Sequence, residues 1–168
     1  MKNNDFTVLM LLSTFSVLVI GTSGTTLVYG QEEGNATEHV PKFFAIHHAS
    51  SGTISEINTT AYSLELNDVS DKTILFSDRP DRIVTSVSTS NFIGNWSVGE
   101  DNFAVDAPNA VIVVDDNEGQ QNTAIIELFS PIYDSDKKSL KYETIPDNAT
   151  SIDLPNEFGQ TTIVIDTF

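Results

Sequence analysis

From residue 43 onward, turn residues interrupt the chain about every ten residues, and no apolar run between them exceeds the length of a strand. Phe44, Ile46 and His48 alternate with their neighbours, as do Tyr62, Leu64 and Leu66, while Ile54 and Ile57 flank a weaker run. TILFS (73–77), RIVTSV (82–87), AVIVV (110–114), AIIELF (124–129), SLKYET (139–144) and TTIVID (161–166) follow. Between them stand the turn clusters NDVSDK, SDRPD, DDNEGQQN and YDSDKK. Branched and aromatic side chains favour the pleated backbone, and runs this short leave little room for helix. The expected fold class is all-β: a single antiparallel β-sandwich, or a partly closed barrel, of about nine strands.

Two details refine this. AVIVV and AIIELF are nearly continuous rather than alternating, the pattern of strands covered on both faces, so they are expected as a central hairpin with Gly119 at its bend. One short helix is expected in STSNFIGNW, where Ser88, Thr89 or Ser90 can cap and Phe92 and Trp96 stand four apart. Trp96 is read as a plug closing one end of the core, with a ligand-stacking platform as the alternative, and Phe76 is read as a second core aromatic.

The first thirty residues read as an address rather than as fold. A short polar stretch with Lys2 precedes Phe6–Ile20, which only Thr and Ser interrupt, and Val28-Tyr29-Gly30 offers small residues where a signal peptidase reads. As a helix, the 6–20 run rises about 22 Å, short of the ~30 Å hydrocarbon core. Residues 1–30 are therefore expected to be a signal peptide cleaved after Gly30, residues 31–42 a flexible tether and residues 43–168 the β domain. An uncleaved N-terminal membrane anchor is the alternative. After cleavage no stable membrane insertion is expected.

Charge and composition exclude several functions. The chain carries 24 acidic and 8 basic side chains, a net charge of −16, and cleavage removes one of each, Asp5 and Lys2. Nucleic acid and anionic lipid both need a basic footprint, so neither is expected as a partner. There is no cysteine, hence no disulfide, lipid-anchor cysteine, thiolate metal site or cysteine nucleophile. Both methionines, Met1 and Met10, lie in the signal, which removes a blue-copper site from the exported chain.

A strand ending in Phe76-Ser77-Asp78-Arg79-Pro80, a following Arg82, Phe92 and Trp96 in a short aromatic helix, and Pro108-Asn109-Ala110 entering a strand make up a signature. In these motifs, over about residues 43–145, the chain resembles an uncharacterised family of predicted secreted β-rich proteins. The resemblance implies a common fold unit and supplies no activity and no catalytic residues.

Few residues point to chemistry. No G-x-S-x-G occurs; GNWSVG has one residue too many before Ser97. His39 lies in the tether, and the adjacent His47 and His48 should point to opposite faces of a strand, so the pair cannot chelate one metal. No catalytic residue and no cofactor is assigned. Calcium is the one metal considered, through the loop acids Asp115, Asp116, Asp134 and Asp136, against the reading of two solvated acidic turns. Asp78, Arg79 and Arg82 form a candidate recognition loop for a carboxylate or sulfate, against the reading of a turn held by Asp78 with a guanidinium bridging to the next strand. Asn35, Asn58, Asn95 and Asn148 each begin an Asn-x-Ser/Thr sequon without proline and are glycosylation candidates. Together these features predict a secreted acidic binding protein that meets a cell-surface or envelope partner through loops on a rigid scaffold. A secreted hydrolase with an unrecognised site, or a subunit of an extracellular filament, are the alternatives.

Overall fold

The computed structural model describes residues 40–100, 102–147 and 151–167. The expected signal peptide, nearly all of the tether, and the sequons at Asn35 and Asn148 lie outside the described residues. The described chain is all-β with one short helix. Its elements are β1 (Phe43–Ala49), β2 (Ser51–Glu56), β3 (Tyr62–Asn67), β4 (Lys72–Ser77), β5 (Val84–Ser88), α1 (Thr89–Gly94), β6 (Asn109–Asp115), β7 (Gln121–Asp134), β8 (Ser139–Pro146), β9 (Glu157–Phe158) and β10 (Thr161–Asp166). The strands form one antiparallel sheet in the order β5-β4-β1-β10-β6-β7-β8-β3-β2-β9, open at β5 and β9 and not closed into a barrel.

Two bent chain paths fold this sheet over. Ala49 stands opposite Thr161 in the β1–β10 pair, and Gly52 opposite Phe158 in the β2–β9 pair, which is one register carried across the break at Ser50. The segments 43–56 and 157–166 therefore bend together. The bend takes β2 and β9 to the far end of the ladder while β1 and β10 stay near its other end. One face thus becomes interior, lined by Ala45, Leu64, Leu66, Ile112, Ile126, Leu140, Tyr142, Ile163 and Ile165. Burying each large aliphatic contributes about 1.5–3 kcal/mol, and without disulfides this core holds the domain.

Gly52 stands opposite Phe158 in the β2–β9 pair and beside β3 on its other side. A Cβ there would overlap a Phe158 ring carbon and lie 2.8 Å from the Glu65 carbonyl oxygen. The ring can rotate away, but the backbone oxygen cannot. Gly52→Ala is expected to cost at least the ~1–3 kcal/mol typical of overpacking, measured as a lowered urea midpoint. An unchanged midpoint would mean that the two strands are not so tightly apposed.

Helix α1 and the segment after it close the interior. The Ser88 hydroxyl accepts a hydrogen bond from the Asn91 N–H at 3.1 Å, which selects Ser88 from the three candidate caps. Phe92, Trp96 and Phe103 then gather, with Trp96 4.9 Å from Phe103 and 5.7 Å from Tyr142 between ring centroids. At 5% exposure Trp96 is a plug rather than a platform.

Two expectations are corrected. β6 and β7 pair as foreseen, but only their inner side chains are covered; on the outer face Val111 is 37% and Ile125 52% exposed. Phe76 also points outward, half-buried and stacked on Phe44 at 5.2 Å, instead of joining the core.

Candidate functional site

The outer face of β4-β1-β10-β6-β7 follows from strand registers alone. Ile74 pairs with Ile46, Ile46 with Val164, Val164 with Val111, and Val111 with Ile125. Side chains directly opposite on one face lie about 5 Å apart, so these five form an uninterrupted apolar row across five strands. A second row runs Val84, Phe76, Phe44 and meets Asp166, with Val84 75% exposed on the edge strand β5. A third row is mixed: Lys72 beside Ser88, and His48 beside Thr162, Val113 and Thr123, with a 3.1 Å hydrogen bond between His48 Nδ1 and Thr162 Oγ1. A shallow groove lies among Phe44, Val111, Ile125, Val164, Asn109 and Asp166 on this face. No described element packs over these rows. Sheet faces turned to water normally alternate toward polar residues, so contiguous apolar rows mark a contact surface.

The candidate recognition loop borders one corner of this face, joining β4 to β5. Its turn is held differently from the expectation. The Ser77 hydroxyl, not the Asp78 carboxylate, accepts the Ile83 N–H at 2.9 Å, and the Asp78 main-chain carbonyl accepts the Arg82 N–H at 3.1 Å. The Arg79–Pro80 bond is cis, Arg82 takes φ +52°, and Asp78, Arg79 and Arg82 are all exposed. The loop therefore presents two guanidinium groups beside the Val84 end of the apolar rows.

No family model, no curated protein and no solved structure matches this chain.

The four calcium candidates are not brought together. Asp115 and Asp116 begin the β6–β7 turn, whereas Asp134 and Asp136 stand in the β7–β8 turn at the other end of β7, about 40 Å away along a fourteen-residue strand. Each turn uses its carboxylate internally. Asp116 Oδ1 accepts the N–H groups of Glu118 at 2.9 Å and Gln120 at 2.7 Å, and the Gln120 bond above all holds its carboxyl below the usual range. Asp134 Oδ1 accepts from Asp136 and Lys137, both at 3.1 Å, and Oδ2 pairs with Lys137 Nζ at 3.0 Å. Its carboxyl is likewise lowered, chiefly by the Lys137 N–H. Among the described residues, no three His, Asp or Glu side chains converge. In about 150 mM NaCl, where the Debye length is near 8 Å, millimolar calcium and EDTA are expected to give the same melting temperature within about a degree. A rise of several degrees with calcium, abolished by Asp116→Asn or Asp134→Asn, would contradict this.

The adjacent histidines point to opposite faces as expected, His48 outward and His47 inward. Thr89 Oγ1 donates to the Ser70 carbonyl at 2.7 Å, so the 3.2 Å contact between Thr73 and Thr89 uses the Thr73 proton. The 3.1 Å bond between His47 and Thr73 must then be donated by His47 Nε2–H. That leaves Nδ1 as an acceptor, which has no partner, and the Trp96 Nε1 and Tyr142 hydroxyl groups are also buried and unpaired. Burial, helped by the neighbouring His48 charge, pushes His47 down to about 4, and burial pushes the Tyr142 phenol up. His47 is edge-on to Phe92 at 5.2 Å, and its hydrogen-bond partner is a hydroxyl rather than a carboxylate. This is the environment of a core histidine, not of an acid–base pair.

Of the two described sequons, Asn58 lies in the exposed β2–β3 loop, where its side-chain oxygen accepts from the N–H groups of Thr60 at 2.9 Å and Ala61 at 3.0 Å. Asn95 is the exposed C-cap of α1, beside the buried Trp96. The apolar outer face is the feature that sequence reasoning missed as a site. Its signal is present in the nearly continuous AVIVV and AIIELF runs, which the sequence alone places in interior strands.

Proposed function

We propose that this chain is an exported binding protein whose working surface is the outer face of β4-β1-β10-β6-β7, with Arg79 and Arg82 at its corner. One observation carries the reading: five apolar side chains in register, from Ile74 to Ile125, on a face that no described element covers. Such a row costs solubility unless something covers it where the protein works. Residues 1–30 have the pattern of a signal peptide, and an exported chain of net charge −16 stays soluble while presenting an apolar surface. The partner lies at the cell surface or envelope, and Asn58, on an exposed loop, is the described sequon best placed to carry a glycan. The domain acts by contact, without catalysis.

Two measurements test this. N-terminal sequencing of protein recovered outside its own cells is expected to begin near Gln31; recovery of a chain that still carries Met10 would contradict export by cleavage. Binding of the exported protein to those cells should fall at least about tenfold in Val111→Lys and Ile125→Lys, because desolvating an unpaired ammonium in an apolar contact is costly. Equal binding by both variants, with unchanged circular dichroism, would remove the outer face as the working surface.

A further inference from the structure

We infer that a second copy of this chain covers the outer face, the two sheets packing face to face about a two-fold axis. The inference rests on the outer face being the contact surface, and it adds the occupant: the partner that this face meets at the cell surface is another copy of the same chain.

Three observations favour a like copy. The first is composition. β6 and β7 carry the nearly continuous apolar runs of strands covered on both sides, with Glu127 the one charge inside them, yet among the described residues only the inner side is covered. A face that needs lasting cover is served by a self-complementary contact, since another copy is present wherever the chain is made.

The second is size. Six strands from β5 to β7, each occupying about 4.8 Å of sheet width, cover about 29 Å, and three outward rows, each occupying about 6.7 Å along the strands, cover about 20 Å. That is roughly 600 Å² in projection. Side-chain relief raises it toward the ~800 Å² that each partner contributes to an interface of standard size. Two twisted sheets can then stack about 10 Å apart, as they do inside a sandwich.

The third is charge. Two chains of net charge −16 can meet only where the contact centre is neutral. The middle row carries no charge from Ser86 to Ile125, and Lys72, Glu127 and Asp166 stand only in the outer rows. A basic partner would instead seek the acids of the turns, which lie away from these rows.

Repulsion between like-charged copies gives such a dimer an unusual signature. Long-range repulsion between copies is screened by salt while the apolar contact is not. Dimerisation should therefore strengthen as salt rises, whereas a contact with a basic partner would weaken. Sedimentation equilibrium of the exported protein, in about 50 mM and about 500 mM NaCl, reads this directly. The expected result is twice the single-chain mass at tens of micromolar, with a dissociation constant at least several-fold lower at the higher salt. Val111→Lys and Ile125→Lys, both at exposed positions of the single chain, should raise that constant about 100-fold at unchanged circular dichroism. Ile125→Ser supplies a milder variant, and the salt dependence of the unsubstituted protein needs no variant at all. A single-chain mass up to about 1 mM, a dimer weakened by salt, or a dimer indifferent to the substitutions would each overturn the inference. If the protein stays monomeric and the lysine variants still lose cell binding, the second copy falls and the contact surface stands. If neither assembly nor cell binding responds to them, both fall.

Discussion

Replacing Trp96 with alanine is expected to destabilise the domain by about 3 kcal/mol, the lower end of the ~3–5 kcal/mol range for buried aromatics. Trp96 is 5% exposed and wedged among Phe92, Phe103 and Tyr142, with centroid separations of 6.3, 4.9 and 5.7 Å. Truncation would leave a cavity between α1 and β8. The estimate sits at the lower end because the indole N–H is itself buried without a partner, and deleting it relieves a desolvation cost of about 1–3 kcal/mol. Trp96→Phe keeps most of the packing, also removes that donor, and should cost under about 1.5 kcal/mol. Phe76→Ala should cost less than Trp96→Ala, because Phe76 is half-buried on the outer face with Phe44 as its stacking partner. Urea midpoints at constant slope rank the three. An unchanged midpoint in Trp96→Ala would mean that the indole is not part of the core and would return it to the role of a ligand platform.

A second large effect is a loss of stability in mild acid that traces to His47. Its folded-state value is pushed down to about 4 from the ordinary 6.5. Between those values the unfolded chain binds the proton and the native chain does not, so stability rises with pH across that window. The contribution is complete above about pH 6.5 and is lost progressively as pH falls toward 4. From pH 7 to pH 5 the loss is about 2 kcal/mol for a group this deeply buried. Carboxylates ionised in both states change little above pH 5, and protonating them at lower pH relieves the −16 repulsion, an effect of opposite sign. The pH 5–7 interval therefore isolates the histidine. His47→Gln keeps a donor toward Thr73 but cannot ionise, and its urea midpoint should be flat over that interval. A slope that persists in His47→Gln would assign the acid sensitivity to other groups.

The fold was legible where chemistry is local. Alternation at Tyr62, Leu64 and Leu66 placed β3 and its buried face, and the candidate caps Ser88, Thr89 and Ser90 with the Phe92–Trp96 spacing placed α1. β9 was not legible, because Glu157-Phe158 is held by pairing with Gly52 and Thr53, a contact more than a hundred residues away. The single continuous sheet was not legible either, since the bend shared by 43–56 and 157–166 depends on a common register rather than on a turn motif. Asp116 and Asp134 stand in turn-rich sequence, but sequence could not tell that their oxygens are occupied by backbone donors at opposite ends of one strand. Asp78 was given a role that Ser77 performs, because both residues can accept an N–H within one turn and geometry alone chooses between them. The outer face shows the limit most clearly. Val111 and Ile125 announced a second covered side, and sequence assigned that cover to the chain's own fold.

Oxidative side-chain footprinting of the purified protein, free in dilute solution and again added to its own cells, asks directly whether the outer face is covered where the protein works. Labelling of Phe44, Phe76, Val84 and Ile125 is expected to fall at least about fivefold on the cells, while Ile57, exposed in the β2–β3 loop at the other end of the sheet, keeps its labelling. Unchanged labelling of the four face residues, with protection at Ile57 instead, would contradict this.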